Sequence, residues 1–203
     1  MDNSKVVILG TAHGVNTPGK CSPDKKFREY RFSREVINDL KPKLEALGLK
    51  VYIDITQDVV PRPPVAELSQ RCRIVNSICA KHGTKNCVYV SIHVNAAGSG
   101  EVWRTARGFA VYVARQCSEA SRRLAKSLCD TAITMGLRGN RSIPKEHYWQ
   151  ANFYVIKNTH CPAVLTENLF QDNREDVEFL MSVEGKAKIV ELHRKCIKAY
   201  FGL

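Results

Sequence analysis

Three apolar runs in this chain each end at a histidine or a glutamate, and this pattern constrains the fold more than any other feature of the sequence. The runs are residues 6–13, 88–93 and 162–167, which end at His13, His93 and Glu167. Each run is short, rich in β-branched residues and bounded by Gly, Asn or Pro, which is typical of a buried strand. In open α/β sheets the ligand crevice lies beyond the carboxyl ends of the strands. The sequence therefore predicts that two imidazoles and a carboxylate meet at one site.

The segments between these runs predict helices that alternate with strands. Helices are predicted over 25–47, 65–81, 118–136, 174–181 and 184–201, and further strands over 50–55, 108–114 and 153–156. This alternation predicts an α/β fold, a three-layer sandwich with a largely parallel twisted sheet of about six strands flanked by helices. No internal repeat or linker divides the chain, so we expect residues 1–203 to form a single domain.

The charge balance favours an anionic partner. Lysine and arginine number 31 against 20 aspartate and glutamate residues, which gives a formal net charge of +11. A surface of that charge attracts nucleic acid, anionic membranes or an anionic cell wall. The basic residues are scattered along the chain, without the run of about five or more that marks a nucleic-acid-binding arm.

The cellular location and the state of the thiols are also predicted from composition. No apolar run approaches the roughly 20 residues that span a bilayer, and residues 1–5 lack the features of a signal peptide. We therefore expect a chain that is cytoplasmic as synthesised and that acts elsewhere after release or export by another route. The eight cysteines contain no C-x-x-C pair, and several occupy apolar helix positions, which favours reduced structural thiols over disulfides or metal ligation.

Two histidines at equivalent strand ends point to a metal site, although either one alone is more typical of an ordinary surface or buried histidine. A catalytic zinc usually takes three protein ligands and leaves a fourth position to water. The third ligand is expected near the first strand, and Glu29 in the opening turns of the first helix is the best candidate. Glu35 and Glu45 compete with it, but Glu35 lies further along the helix and is expected to project away from the strand ends.

Glu167 is the candidate proton-transfer group. It ends an apolar strand with a helix soon after, so partial burial is expected to raise its pKa toward neutral pH. A carboxylate in that state, placed beside a metal-activated water, can take up a proton and pass it to a leaving amine. The alternative is a helix N-cap or the partner of a nearby arginine.

The set of motifs resembles the zinc-dependent N-acetylmuramoyl-L-alanine amidases of type 3, the catalytic domain of many cell-wall hydrolases and phage endolysins. The matching segments extend over nearly the whole chain, and no single one is highly specific. They are Val6–Gly14, Glu29, Glu45, Leu68–Asn76, Ser91–Ala96 and Pro162–Phe170 with Asn173. Gly-Thr-Ala stands before His13 where the family commonly has Asp-Pro-Gly, and Glu-Asn-Leu-Phe replaces the usual Glu-Xaa-Gly-Phe; both changes spare the chemical groups.

The resemblance implies roles for four residues and one Zn²⁺ ion. It makes His13, Glu29 and His93 the zinc ligands and Glu167 the general base and acid. The implied reaction is cleavage of the amide bond between N-acetylmuramic acid and L-alanine of the peptidoglycan stem peptide. The implied partner is the anionic cell wall rather than nucleic acid, and a monomer is expected.

The substrate-binding residues stay open at this stage. Muramyl peptides carry carboxylates, and four basic side chains in the loop before the last strands are candidates to hold one. They are Arg138, Arg141, Lys145 and His147. Solvated surface positions are the alternative for each of them.

Two other functions compete with the amidase. A zinc carboxypeptidase or aminopeptidase would keep the metal site and cleave a different bond, but such enzymes often need further ligands, and the sequence offers no spare set of Asp and His residues. A basic module that binds cell wall or nucleic acid on an inactive hydrolase fold is the non-enzymatic alternative. Retention of all four site residues argues against that module.

Overall fold

The structure is a computed structural model that describes residues 4–98 and 101–203. The predictions that concern residues 1–3, at the start of the chain, and Gly100, in the loop after His93, lie outside the described residues. Six strands and six helices make up the described part. The strands are β1 (Val6–Thr11), β2 (Lys50–Ile53), β3 (Cys87–Asn95), β4 (Ala110–Val113), β5 (Trp149–Gln150) and β6 (Ala163–Phe170). The helices are α1 (Glu29–Glu45), α2 (Pro64–His82), α3 (Glu119–Thr134), α4 (Tyr154–Lys157), α5 (Arg174–Met181) and α6 (Val183–Tyr200).

The strands form one sheet in the order β2-β1-β3-β6-β4-β5. Strand β1 pairs in parallel with β2 and β3, and β3 pairs in parallel with β6. Strand β4 runs antiparallel to β6, and β5 runs parallel to β4. The prediction of a largely parallel sheet is confirmed, and the carboxyl ends of β1, β3 and β6 meet at the same edge.

Helices cover both faces of the sheet, which confirms the three-layer sandwich. Side chains alternate across each strand, so that Val7 and Leu9 face one core and Val6 and Ile8 face the other. The first core packs against α1, α3, α5 and α6, and the second packs against α2 and α4. Burial on both faces explains why the central strands are nearly continuous apolar runs.

Three helices begin at side-chain caps that the sequence supplies. Ser118 accepts a hydrogen bond from the backbone N–H of Ser121 at the start of α3. Asn173 accepts from Asp176 at the start of α5, and Ser182 accepts from Gly185 at the start of α6. Each cap satisfies a backbone donor that has no partner within its helix.

The prediction of a strand over 153–156 is wrong. This segment contains the one-turn helix α4, and the edge strand that pairs with β4 is Trp149–Gln150. Val155 and Ile156 are buried in the core on the α2 face, so their apolar character reflects packing rather than strand pairing. Tertiary contacts override β-propensity in a segment this short.

Helix α1 begins four residues later than predicted. Residues 22–27 form a turn instead, in which Ser22 Oγ accepts a hydrogen bond from the backbone N–H of Phe27 and Lys25 has a φ of +61°. Pro42 lies inside the helix, which continues to Glu45 although a proline removes one backbone donor. Among the described residues, no helix combines the length and apolar character needed to cross a bilayer.

Candidate metal centre

His13 lies just beyond β1, in a sharply turned backbone. Its φ of +46° is in the left-handed region that non-glycine residues rarely adopt. The carbonyl of His13 accepts hydrogen bonds from Arg34 Nη2 at 3.2 Å and from Arg71 Nη2 at 3.3 Å. Two guanidinium groups therefore hold the turn that presents this imidazole.

The glycine after His13 has a packing role. A β-carbon at Gly14 would lie 2.6 Å from the carbonyl oxygen of Asp58 and 2.8 Å from the side chain of Val60. Only glycine lets the turn pack against this neighbouring loop.

Glu29 is the first residue of α1 and is buried beneath the strand ends. Its Oε1 accepts a hydrogen bond from the backbone N–H of Val94 at 3.1 Å and lies 3.1 Å from His93 Nδ1. Its Oε2 lies 3.5 Å from His13 Nε2 and is buried without a hydrogen-bond partner. The start of the helix thus places one carboxylate between both imidazoles, whereas Glu35 pairs with Lys186 on the surface.

His93 lies near the carboxyl end of β3 and is held by two neighbours. Its Nε2 lies 3.1 Å from Ser91 Oγ, and its carbonyl accepts a hydrogen bond from Asn168 Nδ2. The rings of His13 and His93 meet edge to face with their centroids 5.2 Å apart. The two histidines that are 80 residues apart in the sequence are therefore direct neighbours.

Ser33 joins the three elements that carry these groups. Its hydroxyl accepts a hydrogen bond from the backbone N–H of Ala12 at 2.9 Å and donates one to the carbonyl of Ile92 at 2.7 Å. Ser33 lies one turn along α1 from Glu29 and is fully buried. The sequence alone did not identify this serine, because its partners are backbone groups of two distant strands.

The protonation states of His13 and Glu29 suit a metal ligand set. Burial lowers the pKa of His13 to about 3, against the opposing charge of Glu29. Burial alone raises the pKa of Glu29, but interaction with His13 and His93 outweighs it and brings the pKa to about 2. At neutral pH the imidazole of His13 is neutral and the carboxylate is ionised, as metal ligation requires.

One nitrogen or oxygen atom from each of His13, Glu29 and His93 lies within 4.8 Å of the others. No other group of three His, Cys, Asp or Glu side chains in the described part of the chain meets this criterion. The donor set of two imidazoles and one carboxylate is a common one for catalytic zinc. The unpartnered buried oxygen of Glu29 also fits a cation, since a buried charge without a counter-charge is costly.

Glu167 faces this cluster from the adjacent strand. It pairs in register with His93 across β3 and β6, and its Oε2 is buried without a hydrogen-bond partner. Burial raises the pKa of Glu167 well above its usual value, and the charge of Glu29 raises it further. Two cations, Lys20 and Arg141, act in the opposite direction.

Lys20 is the site neighbour that the sequence did not reveal. Its charge also influences His13 and Glu29, and its carbonyl accepts a hydrogen bond from the backbone N–H of Glu29. Lys20 comes from the loop rich in Gly, Pro, Asn and Ser, where no pattern of the sequence marks one residue as a neighbour of the site.

Comparison with known proteins places the chain among cell-wall amidases. The sequence profile of the family N-acetylmuramoyl-L-alanine amidase (Amidase_3) matches residues 7–199. The endolysin of Bacillus phage SPP1 is 29% identical over 203 residues, which cover 95% of this chain and 68% of the endolysin. The N-acetylmuramoyl-L-alanine amidase AmiC of Neisseria meningitidis serogroup B is 25% identical, and the match covers 87% of this chain and 48% of AmiC.

Two solved structures share the fold over nearly their whole length, 98% and 97% of their chains. The catalytic domain of CwlV, an N-acetylmuramoyl-L-alanine amidase from Bacillus (Paenibacillus) polymyxa var. colistinus, has a TM-score of 0.78 at 25% identity and covers 97% of this chain. An N-acetylmuramoyl-L-alanine amidase from Clostridium difficile 630 has a TM-score of 0.81 and covers 98% of this chain. The sequence identity to this second structure is 22%, so the similarity supports a shared fold only.

Proposed function

The chain belongs to the N-acetylmuramoyl-L-alanine amidase family, and on that premise we propose that it is a zinc-dependent peptidoglycan hydrolase that cleaves the amide between N-acetylmuramic acid and L-alanine. The family match covers nearly the whole chain, which supports an amidase over a carboxypeptidase or aminopeptidase, and the cluster of His13, Glu29 and His93 argues against an inactive binding module. The observation that carries the proposal is the cluster of His13, Glu29 and His93 beside Glu167.

The proposed zinc ligands are His13, Glu29 and His93. Protein contacts hold all three: two arginines on the His13 carbonyl, the Val94 N–H on Glu29 and Ser91 beside the His93 ring. When bound, a zinc ion supplies Lewis acidity, which polarises a carbonyl group and makes a water molecule more acidic. Three protein ligands are the number found in catalytic zinc sites, which leave a further position open.

Glu167 is the proposed proton carrier. Its raised pKa brings the carboxyl closer to the pH at which it both accepts and releases a proton. Its unpartnered Oε2 takes the proton of the attacking water and then transfers it to the nitrogen of the departing L-alanine. The same atom thus serves as general base and general acid, and Lys20 and Arg141 limit how far the pKa rises.

The wider setting is also part of the proposal. The net charge of +11 suits an anionic wall, and the substrate partner is peptidoglycan. Residues 1–203 act as one catalytic domain and as a monomer, on a wall reached after release or export. The chain spans 68% of the phage endolysin and 48% of AmiC, so these relatives contain segments that have no counterpart in the alignment.

The test is digestion of purified peptidoglycan by protein that has been stripped with a chelator and reloaded with one equivalent of Zn²⁺. We expect new L-alanine amino termini without new reducing sugars, no product from the stripped protein and recovery on reloading. Undiminished activity in the stripped protein would exclude zinc dependence. Products with new reducing ends, or with free amino termini other than L-alanine, would exclude the amidase assignment.

A further inference from the structure

The structure distinguishes among the four basic side chains that were candidates for substrate binding. His147 contacts Asp130 on α3, and Lys145 is exposed. Arg138 packs its backbone carbonyl against Gly108. Of the four, only Arg141 has its guanidinium over a ring of β6, the strand that carries Glu167, because it lies over Phe170 at the carboxyl end of that strand.

Two aromatic rings hold the Arg141 guanidinium in place. Its central carbon lies 5.1 Å from the ring centroid of Trp149 and 5.5 Å from that of Phe170. A cation over an aromatic face is stabilised by the ring quadrupole, and the contact restricts the long side chain. Because Phe170 ends β6 and Trp149 begins β5, these rings fix Arg141 relative to the strand that carries Glu167.

Arg141 has binding capacity that the described residues do not use. Its Nη1 is buried and has no hydrogen-bond partner, and none of the ion pairs among the described residues includes it. A buried N–H donor without an acceptor is costly, and a charged one more so. By contrast, the buried Arg71 makes ion pairs with both Asp54 and Glu67. A guanidinium that stays unpaired beside a reaction site is available to a ligand.

We propose that Arg141 binds a carboxylate of the stem peptide close to the scissile amide. Arg141 is then a specificity-determining residue of the enzyme. The inference rests on the proposed function and names the substrate group that the site selects. The planar guanidinium presents paired N–H donors that match a carboxylate in two-point contact, which a lysine cannot reproduce. Lys20, whose carbonyl accepts a hydrogen bond from the backbone N–H of Glu29, adds a second cationic residue beside the same cluster.

The test measures binding, so that it does not depend on turnover. Zinc-loaded Glu167→Gln protein is titrated by calorimetry with a muramyl dipeptide that ends in a free α-carboxylate and with the same dipeptide ending in a neutral amide. We expect the carboxylate to bind about 10- to 100-fold more tightly, in line with a charge-assisted hydrogen bond. In the Glu167→Gln, Arg141→Gln double variant this preference disappears.

Two further variants separate a contact from a general effect. Arg141→Lys in the same background retains the charge without the paired donors, and we expect it to keep only part of the preference. Lys145→Gln removes a neighbouring exposed charge and is expected to keep the whole preference. Zinc content and thermal unfolding are measured for each variant to establish that the fold and the metal site are intact.

The outcomes separate this inference from the amidase proposal. Equal affinity for the two dipeptides in protein that still carries Arg141, or the same preference with and without Arg141, would overturn the carboxylate assignment. That result would not change the conclusion drawn from the products of peptidoglycan digestion. Conversely, a digestion that yields no new L-alanine termini would overturn the amidase proposal, whereas the binding preference would still be measured directly.

Discussion

Two clusters of buried charge lie side by side at the strand ends, and they differ in whether their charges are paired. In the first, Arg71 Nη1 lies 2.9 Å from both oxygens of Asp54, and Arg71 Nη2 lies 2.9 Å from Glu67. Tyr89 and Thr11 donate further hydrogen bonds to Asp54. Every charge in this paired cluster has a partner of opposite sign.

The second cluster consists of Glu29, Glu167, His13 and His93. Both carboxylates keep a buried oxygen without a hydrogen-bond partner, and no Lys or Arg forms an ion pair with either one in the described part of the chain. The fold satisfies buried charge where it can, as the paired cluster shows. A cluster left unsatisfied next to it supports the metal site that we propose there over a purely structural network.

The two clusters meet at one atom. Arg71 Nη2, which pairs with Glu67, also donates to the carbonyl of His13 at 3.3 Å. The paired cluster thus forms a rigid support under the turn that presents a proposed zinc ligand. The paired cluster contributes mainly to stability, and the neighbouring cluster is the proposed ligand set. Substitutions in the paired cluster are therefore expected to change the free energy of unfolding, and substitutions in the other cluster to change turnover.

The largest expected effect is on turnover. Glu167→Gln removes the proton carrier but keeps the shape of the side chain, so we expect a loss of about 100- to 10,000-fold in the release of L-alanine termini. Stability is expected to be unchanged or slightly higher, because a carboxyl group with a buried oxygen is replaced by a neutral amide. Zinc content is expected to stay the same.

Glu146→Gln is the matched control, since Glu146 is exposed. We expect it to retain the activity of the unaltered protein. Full activity in Glu167→Gln would mean that this carboxylate does not carry the proton. The unpaired cluster would then differ from the paired cluster in charge pairing but not in a role in proton transfer.

The next largest effect is on stability. Arg71→Met leaves Asp54 and Glu67 buried without their cation, and we expect a loss of about 3–5 kcal/mol in the free energy of unfolding in urea. The matched substitution Arg73→Met, at an exposed position of the same helix, is expected to change it by less than about 0.5 kcal/mol. Equal effects of the two substitutions would show that charge pairing is not what stabilises the first cluster.

The smallest effect concerns a buried group outside both clusters. His193 is buried in α6, with Nε2 3.0 Å from Thr166 Oγ1 and Nδ1 2.8 Å from the Ile189 carbonyl. Burial lowers its pKa from 6.5 to about 4. Between these pH values the unfolded chain binds a proton at this histidine and the folded chain does not. The contribution of His193 to the free energy of unfolding is therefore complete above pH 6.5 and is lost as the pH falls to about 4.

A shift of that size corresponds to about 3 kcal/mol, and His193→Gln is expected to remove that part of the pH dependence. The measurement is urea unfolding of chelated protein at several pH values between 4 and 6.5. His160→Gln, at an exposed position, serves as the reference. If both variants show the same slope of stability against pH, the buried histidine does not cause the acid sensitivity.

Much of the site was predictable because each residue lies at or near one end of a recognisable element. His13, His93 and Glu167 follow or end apolar runs, and the parallel order of β1, β3 and β6 brings those ends together. Glu29 was preferred over Glu35 because of its place at the start of the helix, and the structure places it between the two imidazoles.

Other features were missed because they depend on contacts across the fold. Ser33 bonds to the backbone of Ala12, just after β1, and of Ile92 in β3, and Lys20 reaches Glu29 through its backbone carbonyl from an irregular loop. The supporting role of Arg71 requires α2 to pack under the His13 turn. The wrong prediction of a strand over 153–156 also reflects contacts across the fold, since the apolar residues of this segment pack against α2 instead of joining the sheet.

The sequence by itself determined the layer order of the fold and the residue types at the strand ends, because hydrophobic periodicity and short apolar runs are local properties. The tertiary structure alone decided which charges are paired and which are left without a partner. That distinction depends on distances of about 3 Å between residues such as Asp54 and Arg71, which are remote in the chain. A buried carboxylate without a partner is costly in free energy, since water no longer solvates it, and this cost favours the binding of a cation or a proton there.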